Sequence, residues 1–122
     1  MARNNKDKGD WGEELALAFL KEKGYTILEA NWRFMKLEID IIAKIDDILV
    51  FIEVKTRLNE SHGDPEDGVT LKKQRFIIKA ANYYITEKDL HLESRFDIIS
   101  VLKENNKVIV KHLPDAFYPI AK

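Results

Sequence analysis

Two acidic residues and a lysine lie in neighbouring strand-like segments near the middle of the chain. Asp40 lies in the segment LEIDIIAKI, and Glu53 and Lys55 lie in the segment ILVFIEVKTR that follows it. If Asp46 and Asp47 form the turn of a hairpin, the pairing places Asp40 directly opposite Glu53. Two carboxylates placed in this way have Cβ atoms roughly 5 Å apart and repel each other. A divalent cation between them would relieve the repulsion, as would a proton or the neighbouring lysine.

These residue types suit metal-assisted hydrolysis of a phosphodiester bond. Mg²⁺ keeps several of its waters and is held by one or two carboxylates, which makes Asp40 and Glu53 candidate ligands for Mg²⁺ or Mn²⁺. A bound cation polarises the phosphate and lowers the pKa of a water. Lys55 could orient the attacking water or offset the charge that develops on the phosphate. Glu13, on the inward stripe of a predicted helix, could support the site from outside.

Each of these residues also has a structural alternative. Glu13 follows Asp10 by three residues and could be the return half of a capping box. Glu38 and Lys55 could form a cross-strand ion pair, which is the role that we favour for Glu38. Asp40 opposite Glu53 is harder to explain by structure alone.

Composition and charge limit the other classes of function. The chain has 122 residues, of which 45% are hydrophobic and 34% charged, which is typical of one globular domain over 1–122. The net charge of −1 means that any nucleic-acid surface must be a local patch. The absence of cysteine excludes disulfides, thiol catalysis and Cys-based zinc sites. The N-terminus lacks the apolar core of a signal peptide, and no apolar run could span a membrane, so we expect a cytoplasmic protein.

Hydrophobic spacing predicts two helices and five strands. We expect Asp10 to cap a helix over 11–23 that ends at Gly24, with residues 1–9 disordered. The other predicted elements are strands over 25–31, 37–45 and 48–57, a helix over 69–87, and strands over 96–102 and 108–113. The polar segment 58–68 is expected to be a mobile or binding loop. This order predicts an α/β fold with a central mixed sheet flanked by helices.

Strict alternation divides the central hairpin into two faces. One face is apolar throughout and takes the odd positions of the first strand with the even positions of the second: Leu37, Ile39, Ile41, Ala43, Ile45, Ile48, Val50, Ile52 and Val54. The opposite face begins with apolar residues near the turn and ends in Glu38, Asp40, Glu53 and Lys55.

Basic residues gather in the first half of the second helix. A solvated helix face and a contact with backbone phosphates explain such a cluster about equally well. The candidate nucleic-acid contacts are Lys72, Lys73, Gln74 and Arg75 on the helix, with Arg33 and Arg57 nearby.

The chain resembles a known family over most of its length. Asp40 with the triplet Glu53-Val54-Lys55 resembles the PD-(D/E)XK signature of the restriction-endonuclease-like fold. The ordered set of motifs is similar to the uncharacterised YraN-like family, whose members are expected to be endonucleases. The motifs are Gly12-Glu13, Gly24-Tyr25, Asn31-Trp32-Arg33, Glu38-Ile39-Asp40, residues 50–57, Gly63 with Pro65-Glu66, Lys73-Gln74 and Arg95-Phe96-Asp97. The arrangement is also similar to archaeal Holliday-junction resolvases, which implies branched DNA as a substrate class.

Three hypotheses follow. The first is a metal-dependent endonuclease with Asp40, Glu53, Lys55 and Glu13 as its site, which cuts DNA and could act as a homodimer. The second is a nucleic-acid-binding module that keeps the nuclease fold without turnover. The third is an adaptor domain that contacts a protein partner through its loop at 58–68 or its tail at 117–119.

Overall fold

The structure is a computed structural model that describes residues 4–58 and 69–119. Its elements in chain order are α1 (Asn4–Glu22), β1 (Thr26–Phe34), β2 (Leu37–Ile45), β3 (Ile48–Leu58), α2 (Leu71–Lys88), β4 (Glu93–Glu104) and β5 (Lys107–Phe117). The strands form one sheet in the order β1-β2-β3-β4-β5. The β3–β4 pair is parallel and the other pairs are antiparallel, so the predicted mixed sheet is confirmed. Neither helix, over the residues described, is long and apolar enough to cross a membrane.

The two helices cover opposite faces of the sheet. Ala16 and Leu20 of α1 pack in one core cluster with inward residues of β2, β3 and β4. Ile77, Ala80 and Tyr84 of α2 pack in a second cluster on the other face. Both faces of β3 are therefore buried, which explains its nearly continuous apolar sequence.

The first helix begins earlier than the sequence analysis predicts. It starts at Asn4, so Asp10 lies inside the helix and is not its N-cap. The capping-box role for Glu13 is therefore wrong. Residues 4–9 belong to α1, and residues 1–3 lie outside the described residues. An existing helix extends without a new nucleus, which allows polar residues to join it. The predicted end is confirmed, because Gly24 has φ +96° and Tyr25 N–H donates to Leu20 C=O at 2.9 Å.

The central hairpin has the predicted register. Ile45 pairs with Ile48 across the turn, and the ladder continues to Ile41–Ile52, where it ends one step before Asp40 and Glu53. At that point the Asp40 carboxylate accepts a hydrogen bond from Val54 N–H at 2.8 Å. A side chain thus replaces main-chain pairing, and the two strands part.

The division of β2 into two faces is wrong beyond this point. Ile41 and Ala43 pack beneath α1 as expected. Ile39 and Leu37 instead pack beneath α2 with Phe51. The part of β2 that precedes Ile41 does not pair with β3. The alternation of its side chains between the two faces of the sheet can therefore change phase there, so that Ile39 and Ile41 lie on opposite faces.

The second helix begins at Leu71 after its N-cap Thr70, whose side chain accepts a hydrogen bond from Lys73 N–H. Not all of its apolar residues face the core. Leu71 is 56% exposed and Phe76 is 46% exposed.

Candidate active site

The parting of β2 and β3 brings acidic side chains together in a largely buried position. Glu53 is only 5% exposed. Asp40 is partly buried and is held by its hydrogen bond from Val54 N–H. Asp40 and Glu53 are not a backbone pair, because the β2–β3 ladder ends at Ile41 and Ile52. The evidence that they lie close together is the electrostatic interaction between their carboxyl groups.

The pKa of Asp40 reports this crowding. Burial, and then the negative charge of Glu53, raise the pKa of Asp40 from 3.8 to about 8. The hydrogen bond from Val54 N–H and the charge of Lys73 lower the pKa, whereas the charge of Glu13 raises it further. Three acidic residues from α1, β2 and β3 therefore share one electrostatic environment.

A lysine from α2 balances part of this charge. Lys73 Nζ lies 2.9 Å from Glu53 Oε2. Burial alone would lower the pKa of Lys73, but the contact with Glu53 and the charge of Asp40 outweigh burial and raise the pKa. Lys73 therefore stays charged, and its ammonium group contacts Glu53 although the side chain is 39% exposed.

From its sequence Lys73 is predicted to contact phosphate, and the structure shows it paired with Glu53. The sequence does carry one signal for this ion pair. Glu53 lies in an apolar strand and has no basic residue opposite it in the hairpin, so a basic partner from another element was needed.

The remaining residues of the predicted constellation lie around this pair. Lys55 is two residues beyond Glu53 on β3 and is partly exposed. The predicted ion pair between Glu38 and Lys55 is wrong. Glu38 pairs instead with Arg33, whose Nη1 lies 3.4 Å from Glu38 Oε1. The reason is register, because Arg33 and Glu38 are paired across β1 and β2, while the β2–β3 ladder stops before Glu38.

The donor set suits a hard divalent cation. Asp40, Glu53 and Glu13 offer carboxylate oxygens, which Mg²⁺ and Mn²⁺ prefer. Over 4–58 and 69–119, no three His, Asp or Glu side chains are arranged to hold an ion together. A site of one or two carboxylates completed by water is sufficient for Mg²⁺, and a bound cation, like a proton, would relieve the burial and the repulsion by Glu53 that raise the pKa of Asp40.

The predicted nucleic-acid contacts differ in their exposure to solvent and in the partners that they already have. Lys72 and Arg75 are exposed on α2, and the Arg33 side chain is 70% exposed although it pairs with Glu38. Gln74 Nε2 donates to Val69 C=O at 2.9 Å and so fixes the start of α2. Arg57 is partly buried near the end of β3. The predicted binding loop lies, apart from Leu58, outside the described residues.

Close packing of α1 on β3 places Glu13 beside the site. Gly12 is buried, and a Cβ atom at this position would overlap Thr56 Oγ1. Only glycine allows the helix to approach the strand so closely. Glu13 is partly buried, whereas Glu14 is exposed, as the helical stripe predicts.

Substitution Gly12→Ala should therefore destabilise the protein by about 1–3 kcal/mol, because overpacking forces the helix away from the strand. Urea denaturation measures the effect. Ala18→Ser, at an exposed position of the same helix, is the control and should change stability by less than about 0.5 kcal/mol. Equal stability of Gly12→Ala and the unmodified protein would show that the close approach is not required.

Comparison with known proteins adds the family. Residues 12–101 match the family model described as "Uncharacterised protein family UPF0102". The chain belongs to this family. The predicted membership of the YraN-like family is thereby confirmed, and the matched range includes all the residues of the acidic site.

Several relatives match along nearly their whole length. A UPF0102 protein of Flavobacterium psychrophilum is 51% identical over 118 residues, which are 97% of this chain and 98% of the relative. A UPF0102 protein of Christiangramia forsetii is 44% identical, with the same coverage of both chains. A UPF0102 protein of Clostridium perfringens is 45% identical over 96% of this chain and 98% of its own. These names give family membership and no activity.

A second polar cluster, on the α1 face of the UPF0102 fold, was also not foreseen. Asp97 is fully buried, and Arg95 donates two hydrogen bonds to it, at 3.0 and 2.8 Å. His112 Nε2 lies 2.7 Å from Asp97 Oδ2, and Asp115 N–H donates to Oδ1 at 2.9 Å. Arg95 also donates to Tyr25 Oη at 2.7 Å.

This cluster fixes the sheet edge. Burial alone would raise the pKa of Asp97, but hydrogen bonds from His112, Arg95 and Asp115 N–H together lower it. The β4–β5 register shifts between Phe96 and Ile98, so Asp97 holds the irregular stretch of β5 in place. These contacts give Asp97 a structural role.

Proposed function

We propose that this UPF0102 protein is a metal-dependent endonuclease that hydrolyses phosphodiester bonds in DNA. The observation that carries the proposal is the acidic pair, Asp40 and Glu53, held in a largely buried position where two strands part. Burying two acidic side chains next to each other costs stability, whether both are ionised or one is kept neutral by a raised pKa. Proteins accept such costs chiefly at functional sites, where perturbed pKa values cluster.

The fold supports the same proposal. An Asp on one strand, a Glu-x-Lys triplet on the next and a mixed sheet between helices are the elements expected of a restriction-endonuclease-like domain. In this interpretation Asp40 and Glu53 would hold Mg²⁺ or Mn²⁺. When bound, the cation supplies charge neutralisation at the scissile phosphate and activation of water.

The protein's own residues have distinct tasks in this proposal. Glu53 would hold the cation in place of its contact with Lys73, and the Lys73 ammonium would then be available to contact a phosphate oxygen. Lys55 orients the attacking water and offsets developing negative charge. Glu13 adds negative charge at the edge of the site. Val54 N–H keeps the Asp40 carboxylate in position through its hydrogen bond.

The test is cleavage of single-stranded, duplex and branched DNA by the purified protein with Mg²⁺ or Mn²⁺. We expect cutting that stops when the cation is chelated and is lost in Glu53→Ala. Asp47→Asn is the matched control, because it removes an exposed acid from the turn at the other end of the hairpin. No cleavage of any of these DNAs, or cleavage that survives Glu53→Ala, would contradict the proposal.

One observation favours a second candidate, a DNA-binding module without turnover. Lys73 already satisfies Glu53 at 2.9 Å, and a permanent ion pair would need no metal. In that case DNA binding should persist or strengthen in Asp40→Asn, no cleavage should occur, and charge reversal of Lys73 and Arg75 should abolish binding. The cleavage assay together with a binding assay at several salt concentrations separates the two candidates.

A further inference from the structure

An apolar groove lies between the β1–β2 turn and α2. It has a volume of about 320 Å³ and is lined by Phe34, Met35, Lys36, Leu37, Phe76 and Lys79. Ligand sites in proteins begin at about 300 Å³. The groove is therefore large enough for one small planar group.

Large apolar side chains are exposed together around this groove. Met35 is 79% exposed, Phe76 is 46% exposed and Tyr83 is 47% exposed. Grouped exposure of this kind marks an interaction site in a protein, whereas single exposed apolar residues do not.

Phe34, which lines the groove, belongs to a cluster of aromatic rings. The Phe34 ring lies 4.7 Å from Tyr83 and 6.1 Å from Trp32, and the Phe34 and Trp32 planes differ by 8°. Trp32 in turn packs edge-on against buried Tyr84, with 5.1 Å between the ring centroids. The Phe34 ring is therefore anchored to the core through Trp32, and together with Phe76 it gives the groove an aromatic surface. Proteins stack unpaired bases on aromatic side chains of this kind.

Positive charge borders the apolar surface. Lys36 and Lys79 line the groove, both exposed, and Lys72 and Arg75 are exposed on the preceding turns of α2. Aromatic rings flanked by lysines suit a base joined to phosphates. A second copy of the chain is a poorer occupant, because a two-fold contact through this surface would bring lysine against lysine.

The groove adjoins the acidic site. On α2, Lys73, which contacts Glu53, is one helical turn before Phe76. On β2, Leu37 precedes Asp40 by three residues, a span of about 10 Å along a strand. One nucleic-acid strand can therefore lie across both places.

We infer that this groove binds an unpaired nucleobase of the strand whose phosphate lies at the acidic site. The base stacks on Phe34 and Phe76, and Lys36 and Lys79 contact the adjoining phosphates. The inference rests on the proposed function, which places the phosphate that is cut at the acidic site. It narrows the substrate class to nucleic acid with an unpaired base, as in single strands and branch points.

The experiment measures binding with chelator present, so that no cutting occurs. The probes are fluorescein-labelled oligodeoxythymidylate of about twelve nucleotides, near the upper range of single-strand site sizes, and an abasic oligomer with the same sugar–phosphate backbone. Phe76→Ala should weaken binding of the thymidylate about 5- to 150-fold, the equivalent of about 1–3 kcal/mol per stacked base. Binding of the abasic oligomer should change by less than about 2-fold, since the phosphate contacts remain.

Ile109→Ala is the matched control, because Ile109 is 49% exposed on β5, away from the groove. It should leave binding of both probes unchanged. Equal loss of both probes in Phe76→Ala, no loss of either, or failure of the unmodified protein to bind the thymidylate would overturn the inference. So would a drop in sedimentation mass in Phe76→Ala, which would show that the groove holds a second copy.

A second measurement does not depend on the folding of Phe76→Ala. The chain has two tryptophans, so in Trp11→Phe the emission comes from Trp32, which stacks on Phe34. The thymidylate should change this emission and the abasic oligomer should not; the same response to both would overturn the inference. The two proposals can fail separately. Binding that depends on the base, without any cleavage, would contradict only the nuclease proposal. Cleavage together with equal binding of the thymidylate and the abasic oligomer would contradict only this inference.

Discussion

Asp40→Asn should stabilise the metal-free protein and at the same time reduce DNA cleavage by at least about 100-fold. The loss of activity is large because even residues that only support a metal ligand cost about 10- to 100-fold when they are replaced. The gain in stability arises because the amide removes a carboxylate that burial and Glu53 both disfavour. The amide oxygen can still accept the hydrogen bond from Val54 N–H.

The gain should depend on pH in a defined direction. The pKa of Asp40 is about 8 in the folded protein, against 3.8 as its ordinary value. Between these values the folded state holds a proton that the unfolded state has released, so stability falls as pH rises through this window and levels off above it. The variant lacks this dependence. Its advantage should be negligible near pH 4 and reach about 2–4 kcal/mol above pH 8, since one pKa unit corresponds to about 1.4 kcal/mol and partial exposure reduces the effect.

Urea denaturation with chelator at a series of pH values measures this difference. Asp47→Asn, at the exposed turn of the same hairpin, should show no such trend. Lower stability of Asp40→Asn at every pH would show that the carboxylate is a structural requirement and would remove the main support for a functional site.

Asp97→Asn is expected to have the largest effect on stability. Asp97 is fully buried and accepts from Arg95 and Asp115 N–H, with His112 Nε2 beside it at 2.7 Å. Removal of its charge leaves the Arg95 guanidinium without its ionic partner, and breaking a buried pair in this way costs about 3–5 kcal/mol. Because the pKa of Asp97 is lowered, the stability it supplies is present above its ordinary pKa and is lost as pH falls through the lowered value.

Chemical denaturation of Asp97→Asn and of Glu93→Gln measures this contribution. Glu93 lies on the same strand but is exposed, so its substitution should change stability by less than about 0.5 kcal/mol. DNA cleavage by Asp97→Asn at low temperature should persist, because Asp97 lies on the α1 face and Glu53 contacts α2. Unchanged stability would mean that the cluster is not needed to hold β5.

Local patterns were sufficient to predict the elements that bring the acidic pair together. The register of the β2–β3 hairpin follows from its short turn, because each paired position is counted from Ile45 and Ile48. The end of α1 at Gly24 follows from glycine's access to positive φ. The inward direction of Glu13 follows from helical spacing. The sequence thus determined the order of the elements and the meeting of Asp40 with Glu53, since both depend on residues close in the chain. The mixed sheet was predicted from that order, although its parallel β3–β4 pair joins residues distant in the chain, such as Glu53 and Ile98.

Only the tertiary structure decided which groups balance these charges and where the strand changes phase. Lys73 reaches Glu53 because α2 packs on the face of the sheet where the Glu53 side chain lies, and Arg95 reaches Tyr25 although they are 70 residues apart. β2 changes phase beyond Ile41, where its pairing with β3 ends and the Asp40 carboxylate accepts the hydrogen bond from Val54 N–H. Such contacts are set by how helices dock on the sheet, and the spacing of residues along one segment carries no information about that docking.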